Sequence, residues 1–186
     1  MRSFLRTVSA IAILISWTSC PAFALSDAYK ENIYNPGQLK PVDSTLKVRE
    51  GEPAPEFTLP SLSGETFVPA AWTPICSDQW PGYNLAKGLF EAQDAVLLGI
   101  TVDNLPTLYS WTRQMGNLWF PVLSDFWPHG AVADKFGVLR SDGIAERALF
   151  IIDKAGILRY AKVGDINRRP DLEELINAME KTNSKR

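Results

Sequence analysis

The sequence predicts one α/β domain built in three layers around a mixed sheet. Three observations carry that reading. A continuous apolar run at residues 95–102 is followed by an amphipathic helical pattern at 107–115. Two apolar runs, 148–152 and 157–163, flank the turn Asp153-Lys154-Ala155-Gly156 and read as a β-hairpin. A last helical pattern opens at Pro170. Strands and helices alternate first and a hairpin follows. A chain of 186 residues with 46% hydrophobic content suits a single core.

Taken in order, the elements have these grounds. Residues 57–59 are a short strand candidate, followed by a turn at Ser63-Gly64. Residues 77–93 read as a helix with Leu85, Leu89 and Phe90 on one side, weakened by Pro81 and Gly88. Residues 95–102 end in Asp103-Asn104 and are expected as a buried strand. In the 107–115 helix, Leu108, Trp111 and Met115 share a face and Gly116 is the stop. In the final helix Leu172, Leu175, Ile176 and Met179 follow helical spacing. Residues 182–186 are expected as a disordered tail.

The N-terminus is read separately. Arg2 and Arg6, an apolar run at 8–17 too short to span a bilayer, and Ala22-Phe23-Ala24 together make a secretory signal peptide over residues 1–24. An exported product, periplasmic or secreted, follows from it. A membrane anchor and lipidation at Cys20 are the weaker readings, since Trp17-Thr18-Ser19-Cys20 is a poor lipobox and Pro21 follows. Residues 25–48, polar and carrying Asn35-Pro36-Gly37, read as a loose N-terminal extension.

Of 19 basic residues, losing Arg2 and Arg6 leaves 17 against 21 acidic ones, a net charge of −4. There is no basic stripe, so nucleic acid is not an expected partner. No later segment suits stable membrane insertion. One remaining cysteine cannot form an internal disulfide, and one cysteine with one histidine makes no zinc site. No metal or other cofactor is expected.

That cysteine, Cys76, closes the stretch Pro69-Ala-Ala-Trp72-Thr73-Pro74-Ile-Cys76. A free thiol titrates at about 8.5 and is mostly protonated near neutrality. Here the start of a predicted helix offers unpaired N–H groups and a favourable dipole for an anion. Arg147, if the fold brings it near, adds a fixed charge and two-pronged donors. The Thr73 hydroxyl can accept from and donate to a bound oxygen. Pro69 and Pro74 offer no N–H and stiffen the loop. Asp78 opposes the set unless it points away. Such a site suits attack of the thiolate on a peroxide oxygen, with a sulfenic acid as product. Each residue also has a plain reading. A lone cysteine is commonly a small buried hydrophobe, Thr73 a turn residue, and Gln79 a solvated helix residue. On spacing alone Arg147 cannot be chosen over Arg140 or Arg159. His129, in a Pro/Gly turn, is left out, because a thiolate needs no added base. Trp72 is placed as a wall of the pocket.

From about Val48 to Lys181 the chain resembles the peroxiredoxins, the alkyl hydroperoxide reductase and thiol-specific antioxidant family. Gly51-Glu-Pro-Ala54-Pro55-Glu-Phe57 looks like the family's opening. Pro69, Thr73 and Cys76 match the P-x-x-x-T-x-x-C signature, and Gln79 falls where Glu or Gln is usual. Arg147-Ala-Leu-Phe-Ile-Ile-Asp153 looks like the arginine-led strand. Phe120-Pro-Val-Leu-Ser-Asp125-Phe-Trp-Pro-His-Gly130-Ala-Val is similar to the one-Cys, alkyl hydroperoxide reductase E-like branch. The resemblance implies a thioredoxin fold over residues 49–181 and a peroxidatic Cys76. It selects Arg147, Thr73 and Pro69 as its partners and Gln79 and Trp72 as pocket residues. It also implies a peroxide substrate (hydrogen peroxide, an organic hydroperoxide or peroxynitrite) and an external thiol reductant, either a thioredoxin-like protein or a small thiol. Members commonly form homodimers. One departure stands out: four residues, 65–68, separate Gly64 from Pro69, enough for one short strand where the family has a return strand and a central strand. A missing central strand is expected to leave unpaired neighbours and a hole in the core. The competing functions are a redox-responsive binding or chaperone-like protein, a thioredoxin-like disulfide handler, against which the lack of C-x-x-C counts, and a degenerate, unstable variant.

Overall fold

The computed structural model describes residues 31–59 and 69–184. Residues 1–24, expected as a signal peptide, and the expected Ser63-Gly64 turn and 65–68 connection fall outside them. Helix α1 runs over Pro74–Leu85 and α2 over Lys87–Ala92, followed by strand β1 at Gly99–Thr101 and helix α3 at Leu105–Gln114. Strand β2 is Val122–Ser124 and helix α4 is Ala131–Phe136. The hairpin strands β3 and β4 are Ala148–Ile152 and Leu158–Val163, and α5 is Leu172–Asn183.

The expected helix at 77–93 begins earlier, with Pro74 in its first turn, and breaks at Ala86 into α1 and α2. Cys76, Gln79, Trp80 and Tyr83 recur at helical spacing on the buried face of α1. Leu85 and Leu89, expected on one side with Phe90, are exposed, while Phe90 is buried. Asn104 caps α3 by accepting from the Thr107 N–H at 2.9 Å. Its predicted face, Leu108, Trp111 and Met115, is buried, and Gly116 ends it in the left-handed region. Asp153 closes the hairpin turn by accepting from the Ala155 and Ile157 N–H groups. Helix α5 buries Leu175 and Met179 and runs to Asn183, so the tail expected from residue 182 is helical at its start.

No strand forms over 57–59. Pro53 bridges Ile157, and Phe57 instead packs edge-on against Phe136 at 6.1 Å. The 95–102 run yields a strand only at 99–101, and Val96 is exposed.

Pairing is mixed, as expected. β1 and β2 are parallel, with Ile100 opposite Leu123, and β3 and β4 are antiparallel, with Phe150 opposite Ala161. Among the described residues these are two separate two-stranded ladders. A cavity of about 420 Å³ lies between them, bounded by Leu98 and Ile100 on one side and Leu149 and Ile151 on the other. One buried cluster centres on Trp80, Trp111 and Phe120, with Trp80 and Trp111 rings 4.5 Å apart; a second centres on Phe136 and Val138. Gly99 leaves room for this, since a Cβ there would meet the Trp80 ring at 3.0 Å. No described helix is long and apolar enough to cross a membrane.

The stretch read as a loose extension is bound to the domain. The Lys47 N–H donates to the Phe136 carbonyl at 3.1 Å, and the Asp43 and Ser44 N–H groups donate to Glu146. At Gly137 (φ 75°) a Cβ would lie 2.3 Å from the Lys47 nitrogen and the Thr45 oxygen. A polar sequence without periodicity gave no sign of this, because backbone groups make most of the attachment.

Candidate active site

Cys76 is the third residue of α1, inside the first turn. Its side chain is 0% exposed, and it is the free cysteine among the described residues. Thr73 is the N-cap in extended conformation, and its carbonyl accepts from the Ser77 N–H at 2.9 Å as the first helical bond. Its hydroxyl does not cap the helix but donates to the Ala70 carbonyl at 3.0 Å. That leaves the oxygen's lone pairs as an acceptor at the helix mouth. Pro69 is buried at the start of this loop. Trp72, half-buried against the main core cluster, sits in the left-handed region at φ 61°. Such a conformation for a bulky residue costs of order 1–3 kcal/mol and persists only where surroundings impose it. The Ala71 N–H donates to the Asp103 carboxylate at 2.7 Å, tying the loop to the end of β1.

Arg147 immediately precedes β3 and is brought to the sulfur. Its Nη1 and Nη2 lie 3.7 and 3.6 Å from Cys76 Sγ. Nη1 also donates to Gln79 Oε1, while Nε and Nη2 donate to the Ile166 carbonyl at 3.3 and 3.0 Å. Gln79 is fully buried and turns its amide N–H₂ to the Tyr83 hydroxyl at 3.2 Å, so it is not the solvated helix residue of the plain reading. Burial pushes the Tyr83 phenol up to about 12, which keeps this end of the network neutral. All of these acceptors are uncharged. The guanidinium is 2% exposed and, among the described residues, makes no direct ion pair; the Asp165 carboxylate lies within electrostatic reach of it. Two of its N–H donors face the sulfur, where they favour an anion.

Asp78, the residue that stood against the site, faces away. Its side chain is 66% exposed and pairs with Arg169 at 2.9 Å. Gly82 makes this possible, because a Cβ there would meet the Arg169 guanidinium at 2.4 Å. His129 is occupied elsewhere, its Nε2 2.7 Å from the Gly143 carbonyl. Arg140 and Arg159, indistinguishable from Arg147 by spacing, pair with Glu146 and Asp142 and with Asp153. The fold thus brings Cys76, Thr73, Gln79 and Arg147 together, with Pro69 and Trp72 in the loop that carries them. Three contributors went unread in the sequence. The Ile166 carbonyl carries no side-chain signal. Tyr83 is legible only as the i+7 partner of Cys76, and in the sequence Asp103 marks only a strand end.

An α/β fold with a helix-mouth thiol facing a strand-borne arginine defines a thiol-redox class of protein. The AhpC/TSA family profile matches residues 66–161, just over half of the chain. Alkyl hydroperoxide reductase E from Mycobacterium tuberculosis is 36% identical over 129 residues, which cover 61% of this chain and 84% of the relative. A putative peroxiredoxin in the rubredoxin operon of Clostridium pasteurianum is 28% identical, covering 69% and 86%. Among solved structures, Mycobacterium tuberculosis AhpC superposes with a TM-score of 0.65 at 21% identity, over 73% of this chain and 98% of that one. Peroxiredoxin 6 of Arenicola marina does so with 0.67 at 18%, over 73% and 74%. The chain belongs to the AhpC/TSA family and has the thioredoxin fold of the peroxiredoxins.

Proposed function

We propose that this thiol-dependent peroxidase reduces hydrogen peroxide, an organic hydroperoxide or peroxynitrite at Cys76, with a thiol outside the chain as reductant. The observation that carries the assignment to Cys76 is the buried Arg147 guanidinium, 3.6 Å from the sulfur, with its other described hydrogen bonds on uncharged acceptors. The Cys76 thiolate attacks one peroxide oxygen, a sulfur–oxygen bond forms and the oxygen–oxygen bond breaks. Sulfur loses two electrons to the peroxide, and the departing oxygen takes a proton and leaves as water or an alcohol, or departs as nitrite when the oxidant is peroxynitrite. Arg147 donors face the charge that develops on the oxygens, and the Thr73 hydroxyl accepts from the peroxide O–H. Two external thiols then reduce the sulfenic acid, giving water and a disulfide. A 0% exposed sulfur admits a small oxidant through a local opening and excludes a bulky one.

Stopped-flow tryptophan fluorescence tests this, with Trp72 as the near reporter. Peroxide should produce a fast single-turnover phase and add one oxygen to Cys76, and Cys76→Ser should lack both. Stoichiometric peroxide leaving Cys76 as a free thiol overturns the assignment. A homodimer also belongs to the proposal, supported by the exposed apolar pair Phe126 and Trp127 and checked by sedimentation. So does export, supported by the residue 1–24 pattern. Expression in a host with a secretory pathway should yield a product beginning at Leu25.

A further inference from the structure

The guanidinium of Arg147 can rotate about its long side chain, so something must aim it. Its Nε and Nη2 both donate to the Ile166 carbonyl. The peptide bearing that carbonyl is itself held by the N-terminal stretch. The Ile166 N–H donates to the Pro41 carbonyl at 3.0 Å. Asn167, the next residue, grips Leu39 at both ends: its Nδ2 donates to the Leu39 carbonyl at 2.8 Å, and its Oδ1 accepts from the Leu39 N–H at 2.9 Å. The same side chain is braced by Asp165, which accepts from Asn167 Nδ2 and from its N–H at 2.9 Å each.

The stretch reaches the thiol side of the site as well. The Tyr34 N–H donates to the Trp72 carbonyl at 2.8 Å, at the residue held at φ 61°. Ile33 packs against the core cluster that contains Cys76. Residues 33–44 therefore form a strap across both halves of the site, the loop that carries the sulfur and the carbonyl that aims the arginine. The strap and Ile166-Asn167 all lie outside the 66–161 span that matches the family.

We propose that Asn167 is a positioning residue for the peroxide reaction: by clamping Leu39 it fixes the Ile166 carbonyl, and through it the Arg147 guanidinium over Cys76. The proposal rests on the peroxidase reading at Cys76. An ångström of misplacement in such an array can cost about a hundredfold in rate, so a partial loosening should be visible.

A double-mutant cycle separates aiming from mere support, because residues acting through one another are non-additive. The single-turnover rate of Cys76 oxidation by hydrogen peroxide is measured for the full chain, Asn167→Ala, Arg147→Ala and the double variant. Asn167→Ala should slow the reaction roughly tenfold, and in the Arg147→Ala background it should add less than about twofold. An unchanged rate in Asn167→Ala, or the same slowing in both backgrounds, overturns the proposal. Should Asn167→Ala lose its cooperative melt, Leu39→Pro removes the N–H that Asn167 accepts and leaves residue 167 in place. It is run through the same cycle and judged by the same outcomes. A wild-type thiol untouched by peroxide overturns this proposal and the peroxidase reading together. A reactive wild type with an unmoved Asn167→Ala overturns this one alone.

Discussion

Arg140 and Arg147 stand seven residues apart, and both are buried, at 5% and 2% exposure, yet their surroundings are opposite. Arg140 is paired with Glu146 at 3.0 Å and with Asp142, and donates to the Lys40 carbonyl. Burial alone would lower its pKa, but the two carboxylates outweigh that and raise it. Its charge is fully spent on holding the strap to the domain. Arg147 has amide and carbonyl oxygens and a sulfur around it. Arg140 is held by direct ion pairs, whereas among the described residues Arg147 makes none and turns two donors to a sulfur, with the Asp165 carboxylate within electrostatic reach. Burial does not separate the two; direct pairing with carboxylates does.

The comparison can be broken most directly by exchanging each arginine for methionine. Arg147→Met should lower the single-turnover peroxide rate by about 10²–10³-fold, the usual loss when a donor facing developing charge is removed. Arg140→Met should leave Glu146 as an uncompensated buried charge and cost about 3–5 kcal/mol in stability. Denaturant melts of both variants check this. Equal rate losses, or a larger stability loss at 147 than at 140, would refute the division of roles.

Two smaller effects sharpen it. Gln79→Met removes an acceptor from the guanidinium, so stability should fall by about 1.5–3 kcal/mol, with a rate loss smaller than that of Arg147→Met. Gly137→Ala forces a Cβ into the backbone at Thr45 and Lys47. Its melting temperature should drop while the rate per folded molecule stays within a fewfold.

The smallest effect is one of acidity. Asp43 is held below the ordinary carboxylate range by Lys40 and Ser141, and Asp165 by the Asn167 N–H. Groups with a depressed folded value contribute stability above the unfolded value, near 3.8, and lose it as pH falls through the folded one. Strap attachment should therefore be constant from neutrality to about pH 4 and weaken only below it. Exchange protection of the Leu39 and Ser141 amides across that range is the check, and loss of protection at pH 5–6 would contradict it.

Much of this was legible in the residues. The Cys76 loop, the hairpin and helices α3 and α5 announce themselves through spacing, caps and turn chemistry, all of which are local. Strand β2 was not read, since three residues after Pro121 are too few to show a period. Helix α4 was not read either: its capping carboxylate, Asp125, accepts from the Val132 and Ala133 N–H groups but lies several residues upstream, past an aromatic turn. The choice of Arg147 over Arg140 needed the family resemblance, because what distinguishes them is which carboxylates lie near in space. The strap escaped notice for the same reason. Its bonds run from backbone groups near residue 40 to side chains more than a hundred positions later.

The sealed position of Cys76 has one more consequence. A second protein's sulfur needs an open line of approach to exchange with a partner. In the closed fold this chain should therefore crosslink slowly through its described thiol, and a reductant's sulfur should reach Cys76 only through the same local opening that admits the oxidant.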